Sequence, residues 1–561
     1  MAPCHHSLNR VRRTFENRLD AAIAPVADEP RYPERPGFAG AAIPKEHPLD
    51  PTLDLHPPAD RRHPPIMPVR SSSGDAVAVT FSHRFPRSIR RSREVAVHQP
   101  TWSLAEMRAR VAYAGSPLYL GAGTQGPAFA SPQHGVLVLG PPRAGKTTSL
   151  VIPNVLLAPG AVVSTSTKAD VLAATYAERS AMGRCWLFDP AGTTPAPPGT
   201  RQLRWSPVPA CQNWDTAVRT ARAMTSAARP SGYLGESAHW TERAEALLAP
   251  LMHAAAVFDS GIDQVVRWVN RHDIDTPLAA LELGGNELAV DILTGLSETD
   301  PRELSGIWST TSGVLAAYRS EHALALAQEP NFDPHALPTS RDAVYICASG
   351  RDQALTAPLV VGLIEQIRAA AYETTASAAH TGRWPGPPIA LILDETANIA
   401  PLPELPAIVS EGGSQGLVTL ACFQDLSQAR ARWGMAADGF PTLFGAKVVL
   451  GGIRDIRTLD MISRLAGDGE VPHNSVTRRS WPIGRQHPSV TLSTRRQPRL
   501  PVDVIAHLPA GESLLIDGPR PPTFLSLTPW FRTAPFAEAQ HTLALPPPNG
   551  RDRIARLGWS L

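Results

Sequence analysis

The sequence predicts an α/β fold in which a nucleotide-binding core is interrupted by an inserted all-α domain. Three observations carry this prediction. A glycine-rich phosphate loop follows an apolar run at 136–139, short apolar strands alternate with helical stretches from Gly135 onward, and strands disappear between 236 and 330. Alternation of strands and helices is typical of a parallel sheet covered by helices.

The phosphate loop has the pattern G-x-x-x-x-G-K-T and lies between the predicted strand Val136–Leu139 and a helix. In this context the backbone N–H groups of the turn point at the phosphates of a nucleotide. Lys146 reaches the β- and γ-phosphates, and the Thr147 hydroxyl binds Mg²⁺. We therefore expect a nucleoside triphosphate, ATP, together with Mg²⁺. The residues predicted to bind nucleotide are Gly140, Pro141, Pro142, Arg143, Ala144, Gly145, Lys146, Thr147 and Thr148.

Lysine is scarce in this chain, which makes its presence in the loop informative. Only Lys45, Lys146, Lys168 and Lys447 occur, so nearly all of the 53 Lys and Arg residues are arginine. A compact ammonium is a group that the planar arginine fork cannot replace. The lysine at position 146 therefore favours a phosphate contact over an ordinary glycine turn ahead of a core helix.

Composition and charge limit the class of protein. The 561 residues are enough for roughly two to four domains. A content of 43% hydrophobic and 19% charged residues fits a soluble globular protein, and the net charge of +2 gives no overall basic field for gripping DNA. The five cysteines form no C-x-x-C pair, so we expect reduced thiols. Any contact with nucleic acid must be local.

No stretch approaches the roughly 18 consecutive apolar residues of a membrane-spanning helix, and the start leads into no apolar signal segment. We therefore expect a cytoplasmic protein, with a peripheral position at the cytoplasmic face of the inner membrane as the alternative.

The domain organisation follows from shifts in composition. Residues 1–100 form a predicted disordered tail rich in proline and arginine, because few aromatic or β-branched residues are present to build a core. Its basic run at 83–93 is interpreted as a solvated linker rather than a lipid or nucleic-acid contact. The further predicted segments are 101–235, the first part of the nucleotide-binding domain; 236–330, the all-α insertion; 331–545, the second part; and 546–561, a terminal tail.

The predicted strands are short apolar runs, several of which end in polar residues, as ligand-binding strands of such sheets do. They are Val136–Leu139, Ala161–Thr165, Cys185–Phe188, Ala343–Ala348, Ile389–Leu393, Leu417–Phe423, Ala446–Leu450 and Ser513–Ile516. In the insertion, apolar residues recur at helical spacing instead. These residues are Trp240, Ala244, Leu247, Leu248 and Leu251, and then Leu304, Ile307, Trp308, Thr311, Leu315 and Tyr318.

Two adjacent carboxylates end the predicted strand Ile389–Leu393. This pattern is typical of P-loop motors, in which Asp394 would hold Mg²⁺ and Glu395 would act as the general base that activates water. The alternative is an exposed cap between strand and helix. The upstream phosphate loop favours the catalytic interpretation.

Gln424 directly follows the predicted strand Leu417–Phe423. In a RecA-like strand order it would reach the γ-phosphate as a sensor. The alternative is a polar cap at the end of a strand, so the sensor role depends on where this strand lies in the sheet.

Several further motifs occur in a defined order. They are the Ser166–Asp170 loop, His239-Trp240 at the start of the insertion, the Leu393–Glu395 strand end, the 410–416 turn leading to 423–428, Gly451-Gly452, the run 465–468 and Arg499. Together with the phosphate loop, their order and spacing over 115–530 resemble the TraG/TraD-type coupling ATPases of type IV secretion and conjugation.

The resemblance implies a RecA-like P-loop NTPase core with an inserted all-α domain, assembled as a DNA-stimulated homo-hexameric ATPase. It also implies a motor that docks DNA, as a relaxase-bound single strand, or secreted protein at the type IV secretion channel and drives its transfer. The implied partners are the DNA or protein substrate, components of the channel and a separate membrane anchor protein.

Two departures from that family qualify the resemblance. Family members usually carry an N-terminal transmembrane anchor, and the absence of one here leaves a membrane partner, a truncated reading frame or a soluble variant as explanations. Members also often carry a basic residue, a candidate trans-acting finger, in the glycine turn before the sensor strand, whereas Gly412–Gly416 contains none. Either Arg432, Arg454 or Arg457 supplies the finger, or hydrolysis is slow.

The stretch from Val471 to Arg499 is a candidate DNA contact. Arg478 and Arg479 lie beside Trp481, and arginine with an interleaved aromatic ring suits a single strand. The polar, proline-interrupted sequence nevertheless favours a mobile solvated loop.

Two other functions fit the same motifs. One is a cytoplasmic DNA translocase of the FtsK/HerA type, which shares the motor core. The other is a weakly hydrolysing nucleotide-binding adaptor, which the missing basic residue after Gly412 favours and the intact Asp394-Glu395 pair opposes.

Overall fold

The computed structural model describes residues 102–228, 236–477 and 489–541. The predicted disordered tail at 1–100 and the predicted terminal tail at 546–561 lie outside these residues. The strands are β1 (Tyr119–Gly123), β2 (Gly126–Phe129), β3 (Val136–Leu139), β4 (Val162–Ser166), β5 (Cys185–Phe188), β6 (Arg201–Gln202), β7 (Ala343–Cys347), β8 (Ile389–Leu393), β9 (Leu417–Phe423), β10 (Ala446–Leu450), β11 (Asp468–Thr477), β12 (Ser489–Pro498), β13 (Glu512–Asp517) and β14 (Thr523–Ser526).

The helices cover both faces of the sheet and fill the insertion. They are α1 (Leu104–Tyr113), α2 (Ile152–Leu157), α3 (Asp170–Ser180), α4 (Trp214–Ala228), α5 (Glu236–Val257), α6 (Ile262–Arg271), α7 (Asp275–Gly284), α8 (Glu287–Ser297), α9 (Pro301–Val314), α10 (Glu321–Leu326), α11 (Gln353–Thr381), α12 (Thr396–Ile399), α13 (Leu405–Glu411), α14 (Leu426–Trp433), α15 (Phe440–Leu443), α16 (Ile456–Ala466), α17 (Val502–Ala506) and α18 (Glu538–His541).

Twelve strands form one sheet in the order β2-β1-β14-β13-β10-β3-β9-β8-β4-β7-β5-β6. The strands from β10 to β6 pair in parallel. Both faces of this part are covered, because Leu137 and Leu139 join one hydrophobic core while Val136 and Val138 join the other. A strand buried on both faces must be apolar throughout, which explains the continuous apolar runs in the sequence.

The prediction of a parallel sheet holds for the strands from β10 to β6 and fails at the edge beyond β10. The strand predicted at 513–516 is β13, which runs antiparallel to β10 and continues into β14, β1 and β2 by antiparallel pairing. The cause lies in α17, because the N–H of Gly452 at the carboxyl end of β10 donates to the carbonyl of Ala506 at 2.8 Å. The chain therefore enters β13 at that end and must run backwards.

The segment 471–499 was expected to be a solvated loop, and this expectation is wrong for its described ends. They form a separate two-stranded sheet, in which β11 and β12 pair from Asp468↔Pro498 to Thr477↔Ser489. Alternating residues such as Ser489, Val490, Thr491 and Leu492 favour this hairpin, although so short an apolar alternation among polar residues is a weak strand signal in the sequence.

The predicted helical insertion is present, and among the described residues between β6 and β7 no strand occurs. Helix α5 is its centre and packs against α4, α7, α8 and α9. Its predicted apolar stripe is buried, with Leu247, Leu248 and Leu251 fully inaccessible to solvent. Trp240 lies so close to α9 that a Cβ on Gly306 would meet its ring at 2.5 Å. Glycine is therefore required at that crossing.

One helix in the described part of the chain is long and apolar enough to cross a membrane, namely α11. Of its most apolar window, 78% is buried inside the protein. It packs against α4 and ends at Gly382, whose φ of 64° lies in the left-handed region. Its composition is therefore explained by burial in the core.

Arg179 at the end of α3 ties two turns at the amino edge of the sheet together. The side chain is fully buried, and its guanidinium donates to the carbonyl oxygens of Ala158 at 2.7 Å, Gly160 at 2.8 Å and Arg341 at 2.8 Å. Burial lowers the pKa of this guanidinium to about 10. Three carbonyl groups thus depend on one planar donor for their hydrogen bonds.

We expect Arg179→Met to lower the free energy of unfolding by about 3 kcal/mol, because buried carbonyls lose charge-assisted hydrogen bonds. Arg179→Lys should recover only part of the loss, since an ammonium cannot reproduce the planar fork. The measurement is the chemical denaturation midpoint, with Arg184→Met, a change at an exposed arginine of the neighbouring turn, as the control. Equal midpoints for the two methionine variants would contradict the role of Arg179.

Candidate active site

The carboxyl ends of three adjacent strands form the candidate site. Strand β9 lies between β3 and β8, with Leu139 paired to Phe423 and Leu393 paired to Ala421. Because all three strands are parallel, the residues that follow them leave the sheet at the same edge. The phosphate loop, Gln424 and the Asp394-Glu395 pair are thereby brought together, as the sequence predicted.

The phosphate loop turns sharply between β3 and a π-helical turn, Thr147–Val151, that continues into α2. Arg143 and Gly145 have φ angles of 64° and 97°. The left-handed region costs a non-glycine residue about 1 kcal/mol, so strain is concentrated at Arg143. A Cβ on Gly140 would lie 2.9 Å from the Cβ of Leu450 in β10. The first glycine is therefore fixed by the neighbouring strand.

Lys146 lies inside the curve of this loop. It is buried, and its Nζ donates to the carbonyl oxygens of Gly140 at 2.6 Å and Pro141 at 3.0 Å. An ammonium has three protons to donate, and two of them are used by these carbonyls, so the third is available to another acceptor. Arg143, in contrast, is exposed. Of the two cationic side chains in the loop, Lys146 therefore points toward the loop's own backbone, while Arg143 is exposed to solvent.

The two predicted magnesium ligands meet directly. The Thr147 hydroxyl donates to Asp394 Oδ2 at 2.5 Å, and the Thr165 hydroxyl donates to the Asp394 carbonyl at 2.8 Å. Asp394 is buried, which raises the pKa of its carboxyl to about 6, while the Thr147 hydrogen bond and Lys146 act in the opposite direction. Two oxygen ligands this close can share one cation.

The described residues contain no cluster of three or more His, Cys, Asp or Glu that could hold a metal. A Mg²⁺ ion typically takes one or two protein oxygens and completes its shell with water and phosphate oxygens. The pair of Thr147 and Asp394 fits this requirement, and a nucleotide in the adjacent loop would supply the phosphate.

Glu395 has an unusual backbone for a residue with a side chain. Its φ of 55° and ψ of 46° are left-handed, which turns the chain out of β8 and into α12. Its carbonyl accepts from the N–H groups of Asn398 and Ile399, both at 3.0 Å. The Asn398 amide also donates to Glu395 Oε2 at 3.3 Å. The turn and Asn398 therefore hold the second carboxylate in place at the start of α12.

Asn398 was not identified from the sequence. It stands three residues after Glu395 on a helical turn, and this spacing was the available signal. Gln428 was missed in the same way, since its Oε1 accepts from the N–H of Gln424 at 3.0 Å. Gln424 is partly exposed at the end of β9, between the phosphate loop and Asp394. Its sensor role stays a prediction.

The three candidate finger arginines occupy different surroundings. Arg454 and Arg457 are exposed and follow β10, next to the phosphate loop, because a Cβ on Gly452 would lie 3.1 Å from Pro141 Cγ. Arg432 is half-buried, which lowers its pKa. It lines a cavity of about 220 Å³ with Ser226, Pro401, Pro403, Pro406, Trp433 and Ala436. Exposure at the site edge therefore favours Arg454 and Arg457.

In the glycine turn before β9, position 413 has no room for the basic side chain that the family resemblance led us to look for. A Cβ on Gly413 would lie 2.1 Å from the carbonyl oxygen of Gln133. The turn also precedes β9, so it lies at the amino edge of the sheet, opposite the phosphate loop. The predicted DNA contacts Arg478, Arg479 and Trp481 lie outside the described residues.

Solved structures of the bacterial conjugative coupling protein TrwB share this fold. Unbound TrwBdeltaN70 matches with a TM-score of 0.55 and 20% identity, covering 76% of this chain and 92% of TrwBdeltaN70. The complex of TrwB with the ATP analogue ADPNP gives 0.54 and 19%, covering 71% and 86%. The complex with ADP and Mg²⁺ gives 0.54 and 20%, covering 71% and 85%. These matches confirm the predicted fold class, a RecA-like P-loop NTPase core with an inserted all-α domain.

The sequence itself places the chain in a family. No curated protein sequence matches it. The model of the family described as type IV secretory system conjugative DNA transfer matches residues 91–547, which is most of the 561-residue chain. The predicted family is thus confirmed, and this chain belongs to the conjugative DNA transfer family of the type IV secretory system.

Proposed function

We propose that this chain is an ATP-hydrolysing coupling protein, which recruits DNA, as a relaxase-bound strand, or protein and drives it into a type IV secretion channel. The observation that carries the proposal is the convergence of Lys146, Thr147, Asp394 and Glu395 at one edge of the sheet. The membership of the conjugative DNA transfer family supports the substrate, and the TrwB complexes with ADPNP and with ADP and Mg²⁺ support the ligands.

Nucleotide binding uses the phosphate loop. The N–H groups at the start of the π-helical turn and the ammonium of Lys146 attract the β- and γ-phosphates. Thr147 Oγ1 and the Asp394 carboxylate would hold Mg²⁺, which supplies positive charge at the phosphate oxygens. For Asp394 to do so, the proton favoured by its burial must leave, so the ion and the proton compete for the same oxygen.

Hydrolysis needs a group that takes the proton of the attacking water. Glu395 is partly exposed at the site edge and can accept it. Asn398 holds Oε2, so the second carboxylate oxygen remains available to the water. Gln424, at the end of the strand between β3 and β8, would contact the γ-phosphate as a sensor. Its own N–H donates to Gln428 on α14, which supports a link between the nucleotide and that helix.

We further propose that the working unit is a DNA-stimulated homo-hexamer. Lys146 and Mg²⁺ neutralise the charge of the transferred phosphoryl group incompletely, and an arginine supplied by a neighbouring subunit typically adds about 10³- to 10⁵-fold. Arg454 and Arg457 are exposed and therefore accessible to such a neighbour. We place the protein in the cytoplasm or peripherally at the inner membrane, where a separate anchor protein and channel components would be its partners.

Replacing Glu395 by Gln should leave ATP affinity intact and slow turnover by about 10²- to 10⁴-fold, because an amide keeps the shape but cannot accept a proton. Asn398→Ala should lower kcat by a smaller factor at unchanged KM, since it only positions the carboxylate. Phosphate release and binding of a fluorescent ATP analogue measure the two quantities. Unchanged turnover in Glu395→Gln would move the base role to another residue.

Asp394→Asn should raise the melting temperature of the nucleotide-free protein at pH 7. The folded-state pKa of about 6 lies above the ordinary value of 3.8, so ionisation costs the folded state stability progressively as the pH rises from about 4 to 6, and the full cost is present at pH 7. The asparagine escapes this penalty, and the advantage should vanish as the pH falls toward 4. The same variant should bind Mg²⁺-dependent nucleotide more weakly. A melting temperature that is lower than that of the wild type at pH 7 contradicts the proposed burial cost.

ATP turnover should rise with protein concentration and on addition of DNA, because a finger from a neighbour requires assembly. Mixing a Lys146→Ala subunit, which keeps its arginines, with a subunit lacking the true finger should restore turnover at the shared interface. Arg454→Ala and Arg457→Ala are the first variants to mix, with the half-buried Arg432→Ala as the comparison. Turnover independent of concentration and DNA, with no rescue for any of the three, would instead indicate a slow nucleotide-binding adaptor.

A further inference from the structure

The hairpin of β11 and β12 carries an unusual concentration of positive charge. Between Val471 and Arg499 the sequence contains six arginines and no aspartate or glutamate, although the whole chain is nearly balanced with 53 basic and 51 acidic residues. Three of these arginines, Arg495, Arg496 and Arg499, are described and lie in β12 or directly after it. The described part of the hairpin therefore carries three exposed cations.

The hairpin is long and accessible. Each strand has ten residues, which corresponds to a length of about 30 Å. All residues from Ser493 to Arg499 are exposed. A two-stranded hairpin is only marginally stable by itself, and this one is fixed at its base by backbone and side-chain bonds. The Arg499 N–H donates to the Gly467 carbonyl at 2.8 Å, and the Ser463 hydroxyl donates to the Leu500 carbonyl at 2.6 Å.

The pairing register separates the charges onto two faces. Arg495 lies opposite Val471, Gln497 lies opposite Gly469, and Arg499 continues the same side. We call Arg495, Gln497 and Arg499 the cationic face, because no carboxylate shares it in the described part of the hairpin.

The opposite side of the ribbon is electrically mixed. Arg496 lies opposite Glu470, and its Nε is 3.3 Å from Asp468 Oδ2. Pro498 lies opposite Asp468. The neighbouring arginines 495 and 496 are both exposed, yet only Arg496 has an acidic partner on its own face. We call Arg496, Glu470 and Asp468 the mixed face.

Gly469 allows Arg499 to lie across the cationic face. A Cβ at position 469 would be 3.3 Å from Arg499 Cγ, so a side chain there would press on the arginine stem. Arg499 Nε donates to the Asp468 carbonyl at 2.9 Å, which fixes the stem and leaves the terminal amino groups of the guanidinium to other acceptors. One cation of the face is therefore held in a defined position.

We propose that the cationic face binds the phosphate backbone of single-stranded DNA. The proposal rests on the proposed function, because it names the surface that contacts the transferred strand. Guanidinium groups bind phosphate through paired N–H donors. Arg495 and Arg499 are four residues apart on extended chain, about 13 Å, so a strand can run along the ribbon and contact both.

An anionic membrane is the other polyanion that such charge would attract. Membrane-surface segments combine basic residues with apolar side chains that enter the lipid. The exposed residues from 493 to 499 are Ser, Thr, Arg, Arg, Gln, Pro and Arg, which provide no such anchor. This described part of the ribbon therefore fits a polyanion that is bound through charge, and the membership of the conjugative DNA transfer family favours DNA as that polyanion.

The test compares arginines on the two faces. Arg495→Gln, the double variant Arg495→Gln with Arg499→Gln, and Arg496→Gln are titrated with a labelled single-stranded oligonucleotide at several salt concentrations. Each lost phosphate contact should flatten the slope of log K against log salt by about 0.7, and the double variant by about 1.4. Arg496→Gln should match the wild type, and so should Arg302→Gln at an exposed position of the all-α domain. Arg495→Lys should restore most of the slope.

Four results would overturn the proposal. Equal losses for Arg495→Gln and Arg496→Gln would show attraction to total charge without a binding face. Unchanged slopes in Arg495→Gln and the double variant, with wild-type DNA binding intact, would place the contact elsewhere and leave the proposed function standing. If Arg495→Gln and the double variant lose binding to anionic vesicles but keep their binding to DNA, the cationic face would be assigned to lipid. Absence of DNA binding by the wild-type protein itself would count against the proposed function as well.

Two controls accompany the titrations. A duplex of the same length should lose less affinity than the single strand does when Arg495 is replaced by Gln. Melting curves confirm that each variant is folded.

Discussion

The hydrogen bond between the Thr147 hydroxyl and the Asp394 carboxylate, at 2.5 Å, joins two segments that are 247 residues apart in the sequence. This bond can form because only β9 lies between β3 and β8 in the sheet. The loops that follow β3 and β8 therefore face each other across the carboxyl end of β9. The register of three parallel strands therefore fixes the distance between the phosphate loop and the carboxylates. The helices on the two faces and the antiparallel edge act on the site mainly by holding that register.

The site is costly to maintain in the folded state. Burial disfavours the ionised form of Asp394, and both Arg143 and Glu395 adopt left-handed backbone conformations that cost a non-glycine residue about 1 to 3 kcal/mol each. All three costs fall on the residues expected to meet nucleotide, metal and water. Strain and burial at a few such positions are typical of sites that are preorganised for a ligand, and the buried β3 and β8 strands supply the rigidity that offsets them.

Much of this site could be predicted because its elements have strong local signals. The apolar run of β3 followed by G-x-x-x-x-G-K-T, and the apolar run of β8 followed by Asp394-Glu395, each combine a buried strand with an abrupt polar end. Asn398 and Gln428 could not be found in this way, because an amide on a helical turn is common and only its three-dimensional partner gives it a role. The direction of β13 and the hairpin of β11 and β12 were also missed. The direction of β13 depends on the position at which α17 ends, which the sequence pattern does not give. The described part of the β11–β12 hairpin is mostly polar, so hydrophobic periodicity gives little signal for it.

We propose that the loop after β3 binds a nucleoside triphosphate through Lys146. Calorimetry can measure the affinity for ATP and Mg²⁺ in the wild type, in Lys146→Ala and in Lys168→Ala, a change at an exposed lysine that follows β4 at the same edge of the sheet. We expect Lys146→Ala to abolish tight binding and Lys168→Ala to retain it. Wild-type affinity in Lys146→Ala would show that this lysine does not hold the phosphates.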